Sequence, residues 1–206
     1  AAPEVQHHLE AVVARAHAEV HDTRRRTATF NPWRLLSRDF PRAFRRHARP
    51  FVLAVTVTLL GALFGGLAVL ADPGAKRAIM PFGHLLGDPS DRVREDESSD
   101  REALEGPRAT FSAQLATHNT RVGILCLALG MTFGIGTIVV LFYNGVVLGA
   151  VCIDYVSAGE GMFLAGWLLP HGIFEIPAIL VAGQAGLVLA RALLAGRDRT
   201  SVLQRL

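Results

Sequence analysis

His171 and Glu175 are the ionisable side chains of an otherwise apolar stretch, residues 161–190. Their i,i+4 spacing puts both on one face of a helix. A charged group inside a bilayer costs about 2.5–3.5 kcal/mol on insertion scales, so it normally pairs or faces an aqueous cavity. Asn144, Asp154 and Gln184 are the other polar residues of the apolar runs. Three chemistries compete for this set. In the first, which is preferred, Glu175 is structural. It accepts hydrogen bonds from His171, from Asn144, or from backbone N–H groups near the breaks at Pro170 and Pro177. In the second, Asn144, His171, Glu175 and Asp154 line a polar cavity that conducts a proton or binds a small ligand or a lipid headgroup. The third is a metal or hydrolase centre. A zinc hydrolase needs about three protein ligands and a general base. The apolar runs supply one His and one Glu, without an HExxH pattern or a nucleophile elbow. The expectation is therefore a buried polar cluster with no catalytic residue, no metal and no cofactor.

The elements that position this cluster are membrane helices. Residues 122–153 carry no charge at all. Residues 51–71 form a first span of about 20 uncharged residues, the length a hydrocarbon core requires. A second span is expected over 122–141, then a break at Phe142-Tyr143-Asn144-Gly145, because Asn-Gly is a turn signal. A short third span, 146–157, follows. Residues 162–169 are apolar but too short to cross, so they read as a re-entrant half-helix ended by Pro170. The last span runs from His171 to about 194. Pairs at small-xxx-small spacing, Gly61/Gly65, Gly130/Gly134 and Gly145/Gly149, would let helices approach closely.

Charge sets the orientation. Nine Arg lie between Arg24 and Arg49, and Arg191, Arg197, Arg199 and Arg205 follow the last span. By the positive-inside rule both ends are cytoplasmic, which requires an even number of crossings. Asn31-Pro32 opens a helix as N-cap and first helical position. On it Trp33, Leu36, Phe40 and Phe44 form an apolar stripe. Arg34, Arg38, Arg42, Arg45, Arg46 and Arg49 fill the rest, and Pro41 should bend it. Such a helix lies in the membrane interface and contacts lipids, with Trp33, Arg38, Phe40, Arg45 and Arg46 as the contacting set. A nucleic-acid role for the Arg cluster is rejected, since a span follows directly. Residues 3–22 read as an amphipathic helix without a signal-peptide h-region. His17 and His21 there belong to a solvated face. Residues 72–121 form the long polar connection, extracytoplasmic by this topology. Within it, 75–86 would lie on the membrane surface and 90–108 would be a solvated loop or short helix. Cys126 and Cys152 read as small apolar packing residues. The domain plan is 1–50 cytoplasmic and interfacial helices, 51–71 first span, 72–121 loop, 122–195 membrane core and 196–206 basic tail.

Two stretches, GTIVVLFYNGVVLGAV and LLPHGIFEIPAILVAGQAGL, resemble the stage II sporulation protein M family of bacterial integral membrane proteins. RDFPRAFRRHARP and HNTRVGILCLALGMTFGIG are similar to it too, so the resemblance covers about Arg38 to Ala195 outside the loop 75–108. Its most specific part is the pairing of Pro170-His171-Gly172 and Glu175 with the upstream Asn144-Gly145 and Leu148-Gly149. Family members often carry two Asn before the second span, where this chain has His118-Asn119. The resemblance implies a multi-pass, homo-oligomeric inner-membrane protein without enzymatic activity. In spore formers the namesake acts in a membrane complex with peptidoglycan-degrading enzymes. The combined reading is an all-α polytopic membrane protein with about four transmembrane helices. It would be a scaffold or assembly component of a cell-envelope complex, with envelope enzymes or membrane proteins as partners. The alternative is a transporter or channel-like subunit built on the Asn144/His171/Glu175 cavity.

Overall fold

Small and large apolar residues are sorted onto opposite sides of the first long helix, α2 (Ala48–Ala71). Ala54, Thr58, Gly61, Gly65 and Val69 recur at three-to-four spacing and are buried, while Leu59, Leu63, Phe64, Leu67 and Leu70 are exposed. A soluble helix buries its largest apolar side chains; a lipid-facing one leaves them outside and packs through small residues. The computed structural model describes Glu10 and residues 13–14, 31–81, 83–98 and 101–203, with backbone only at 84, 97, 101–112, 170–171 and 196–203. The amphipathic segment 3–22 lies outside the described residues apart from Glu10, Val13 and Ala14.

The chain divides into units 1–46 and 47–206. In the first, Asn31 Oδ1 accepts a hydrogen bond from the Arg34 backbone N–H at 3.1 Å, and Pro32 opens the helix. A π-helical segment, Leu35–Asp39, leads into α1 (Phe40–Arg46). Proline lacks the N–H that an α-helix would need at position 41. Here the helix runs on across Pro41 through the wider π turn. Trp33, Leu36 and Phe40 are exposed, and the Phe40 ring lies tilted beside Phe44 with ring centroids 6.3 Å apart.

The second unit is a helical bundle. After α2 come the short α3 (Lys76–Ile79) and α4 (Pro89–Ser98). The long helices α5 (Arg101–Ala128), α6 (Ile135–Ser157) and α7 (Gly161–Leu203) follow. Three segments are long and apolar enough to cross a membrane: α2, α6 and residues Gly172–Ala195 of α7. The fourth, α5, becomes apolar only from Val122 and continues as the 3-10 turn Leu129–Thr132. No strand occurs among the described residues. The fold is thus the expected all-α polytopic class, with three clear spans and a shorter fourth segment.

The internal breaks differ from the sequence expectation. Helix α6 runs straight through Asn144-Gly145, and α7 runs unbroken through Pro170, so there is no half-helix over 162–169. The chain reverses instead at Phe133 (φ 55°) and Gly134 (φ 85°), both left-handed. Thr132 Oγ1 accepts a bond from the Gly136 N–H at 2.9 Å and closes that turn. A second reversal at Gly159 (φ 84°) joins α6 to α7. The Glu160 N–H there bonds the Tyr155 carbonyl at 2.9 Å, a Schellman-type ending.

Glycine contacts fix the helix directions. Gly61 lies against the backbone of Phe142, Gly65 against Val146, and Gly66 against Gly149. Position thus advances together along α2 and α6, which are parallel. Gly123 lies against Ala182, Gly130 against Gly186 and Gly134 against Ala190, so α5 and α7 are also parallel. A Cβ at Gly61, Gly65, Gly145, Gly149 or Gly130 would overlap the facing carbonyl oxygen. Those five pack helices within one chain. Gly134 is different: its positive φ serves the turn. Two apolar clusters result. One joins Ala54, Val122, Cys126, Leu141, Ile179 and Leu187. The other joins Val69, Ala150, Val151, Tyr155 and Leu164 to Met80 and Leu85 of the connection. Ile79, Met80 and Leu85 thus pack into the bundle end. The Tyr143 hydroxyl donates to the Ile79 carbonyl there at 3.2 Å.

Candidate functional site

Glu175 enters the bundle one turn into the span Gly172–Ala195, between Pro170 and Pro177 on α7. Because α5 runs parallel beside it, Asn119 arrives at the same level. Asn119 Nδ2 donates to Glu175 Oε2 at 2.5 Å. Helix α6 contributes Asn144. Both Asn residues, Glu175 and His118 line one cavity of about 90 Å³. Its walls are apolar, from Leu115, Val147, Val151, Ile176 and others, with Leu85 of the connection and Trp167 at the loop end. The structure thus brings Asn144 and Glu175 together. His171 belongs to the same turn of α7, and its side chain lies outside the described residues.

Asp154 stands apart from this group. Its Oδ2 is 2.7 Å from Lys76 Nζ, and both side chains are 12% exposed. The contact is an ion pair without a directed hydrogen bond to Oδ2. Lys76 Nζ also donates to the Gly87 carbonyl at 2.9 Å. Beside it Arg92 of α4 donates to the Tyr155 hydroxyl at 2.8 Å and stands 5.2 Å over the Trp167 ring. Tyr155 in turn stacks on Phe163. These contacts hold the polar connection on the bundle end. Gln184 is buried at the opposite end, where Nε2 donates to the His47 carbonyl at 2.9 Å. Two buried hydroxyls bond backbone: Thr58 to the Ala54 carbonyl at 2.9 Å and Thr137 to the Cys126 carbonyl at 2.8 Å.

Glu175 is placed to accept hydrogen bonds. Among the described side chains no basic group bonds Glu175; an amide holds it instead. His118 is held below the ordinary histidine range by burial and then by the Arg121 guanidinium, so it is neutral near pH 7. No group of three or more His, Cys, Asp or Glu could hold a metal among the described residues.

Sequence reasoning did not assign roles to Asn119, His118, Trp167, Arg92 and Lys76. Helical phase would have found Asn119 only with the parallel pairing of α5 and α7 in hand. The pair Asp88-Pro89 was a usable signal for α4: Asp88 Oδ1 accepts from the Ser90 N–H at 2.8 Å, and proline opens the helix.

Comparison with known proteins places the chain among membrane proteins of one type. The family model for stage II sporulation protein M matches residues 53–206. An uncharacterized protein of Methanocaldococcus jannaschii is 37% identical over 73 residues, 35% of this chain. The match spans 41% of that relative's length. No solved structure matches.

Proposed function

The chain belongs to the stage II sporulation protein M family, and on that premise we propose that it is a scaffold or assembly component of a cell-envelope complex. The observation that carries this reading is the fixed polar cap on the bundle. Arg92 is tied to Tyr155 and Trp167, and Lys76 to Asp154, so α4 has a defined position. Its outward face presents Asp91 and Arg94, which are exposed and paired at 2.8 Å. A rigid, mixed-charge surface beside a membrane suits recognition of a protein partner, because electrostatic complementarity selects among partners. On this reading the cap faces the extracytoplasmic side of the plasma membrane and both termini are cytoplasmic. The exposed Trp33, Leu36 and Phe40, with Arg38, Arg45 and Arg46, rest on anionic lipid. The remaining outer helix faces serve lipid or a second copy.

The test is co-purification in a mild detergent from the native membrane. The charge reversals Asp91→Arg and Arg94→Glu should each deplete the partner while expression and melting temperature stay unchanged. Retention of every partner by both variants would defeat the scaffold reading. The alternative, a transport subunit, draws on the Glu175 cavity. At about 90 Å³ that space has room for water beside its polar groups. Proton or solute flux through reconstituted liposomes that disappears in Glu175→Gln would favour it.

A further inference from the structure

The cavity beside Glu175 has a direction, and the three helices that line it agree on it. On α6 the lining runs from Val151 inward to Asn144, and on α7 from Trp167 inward to Glu175 and Ile179. Val151 and Trp167 pack with Leu85 in the apolar cluster at the capped end of the bundle. Asn144 is at the far end, next to Gly145, which packs on Thr58 in the middle of α2. Seven residues separate Val151 from Asn144 and eight separate Trp167 from Glu175. At 1.5 Å per residue the space is a shaft about 10–12 Å deep. Its two ends are built differently. The floor is Ile179, 3% exposed, which packs with the fully buried Leu141 and Cys126 in the second apolar cluster. The mouth is Leu85, 5% exposed, which belongs to the connection and to none of the long helices. Polar contacts hold it from both sides in sequence. Before it, Lys76 pairs with Asp154 and the Ile79 carbonyl accepts from Tyr143. After it, Arg92 binds Tyr155 and covers Trp167.

We propose that the connection is a latched plug: the shaft is a blind water path that joins Glu175 to the capped side alone, and Leu85 closes its mouth. An ionisable side chain inside a membrane pairs or faces a water-filled cavity. Glu175 has the Asn119 amide and, among the described side chains, no basic partner. His118, Asn119 and Asn144 line the same space, so water there finds the two to four polar partners that hold it. The floor offers water nothing, because its packed side chains are apolar. The mouth is different, since its closure rests on one side chain carried by a short connection. Such a segment opens at lower free energy than the packed helices beneath it. The chain therefore carries a one-sided site at the depth of Glu175 rather than a through-pore. The plug is the inward side of the connection, so it operates whether or not the outward Asp91 and Arg94 bind a partner.

The test is thiol labelling of the full chain in sealed vesicles. A charged, membrane-impermeant methanethiosulfonate is supplied on one side at a time, and each modified site is identified by peptide mass spectrometry. Asp91→Cys, exposed on the cap, identifies the capped side. Asn144→Cys reports from the floor of the shaft, and the native Cys126 reports from the core beneath it. With Leu85→Ala added, Asn144→Cys should react from the capped side at least about tenfold faster, because labelling of a covered thiol follows the opening equilibrium. Lys76→Met, which releases the latch, should speed it as well. From the opposite side the rate should not change, and Cys126 should stay unlabelled throughout. Equal rates with and without Leu85→Ala would overturn the plug, and labelling from the opposite side would overturn the blind floor. Labelling of Cys126 together with Asn144→Cys would mean that the whole bundle loosens, which also overturns the proposal. Val147→Cys, one turn nearer the mouth on the same wall, must give the same pattern and decides the matter if Asn144→Cys does not fold.

Discussion

Lys76 reaches back across the bundle end to within 2.7 Å of Asp154, tying the polar connection to the last turn of α6. Removing one partner of a buried pair strands the other charge, which costs about 3–5 kcal/mol. Asp154→Asn and Lys76→Met should each lower the melting temperature in detergent and open residues 76–98 to limited proteolysis. The double variant should recover part of the loss. Equal protease resistance in wild type and both single variants would show that the pair does not hold the connection.

Gly149 and the Ala62 carbonyl leave no space for a Cβ between α6 and α2. Gly149→Ala should force the helices apart and cost about 1–3 kcal/mol, as overpacking does. That corresponds to roughly 2–4 °C in melting temperature per kcal/mol for a chain of this size. Gly166→Ala is the control: nothing lies within 4 Å of its would-be Cβ. It should gain up to about 1 kcal/mol of helix propensity. Fluorescence-detected size exclusion after heating reads both, and equal effects would contradict the packing account.

The apolar runs, the glycine pairs and the polar residues inside them are all legible in the sequence, because length and hydropathy fix what a bilayer accepts. The breaks are not. Asn144-Gly145 signals a turn in water, yet here Gly145 admits the Thr58 carbonyl and the helix continues. Pro170 lacks a backbone donor, but a membrane helix flanked by neighbours tolerates that loss. The real turn rests on Phe133, a residue type that gives no turn signal. Asp154 and Glu175 look alike as isolated acids in apolar sequence. Only the three-dimensional pairing sends one to Lys76 and the other to Asn119.

Phe133 holds φ 55°, a conformation that costs a non-glycine residue of order 1–3 kcal/mol. Its ring is half exposed, so little packing offsets the cost. Phe133→Gly should therefore raise the melting temperature, while Gly134→Ala, at φ 85°, should lower it. A drop in both would mean that the Phe133 ring contributes more than the backbone loses.

His118 precedes the apolar part of α5 by one turn, and burial with Arg121 lowers its pKa in the folded chain. In the unfolded chain it titrates near 6.5. Below that value the unfolded state binds more protons, so acid favours unfolding. The stability associated with neutral His118 is complete above about pH 6.5 and is lost as pH falls through the folded value. Melting curves between about pH 5 and 8 should show a decline on the acid side that His118→Asn reduces, because Asn keeps a polar group at the cavity and does not titrate. An acid decline of equal size in His118→Asn would assign the pH dependence to another group.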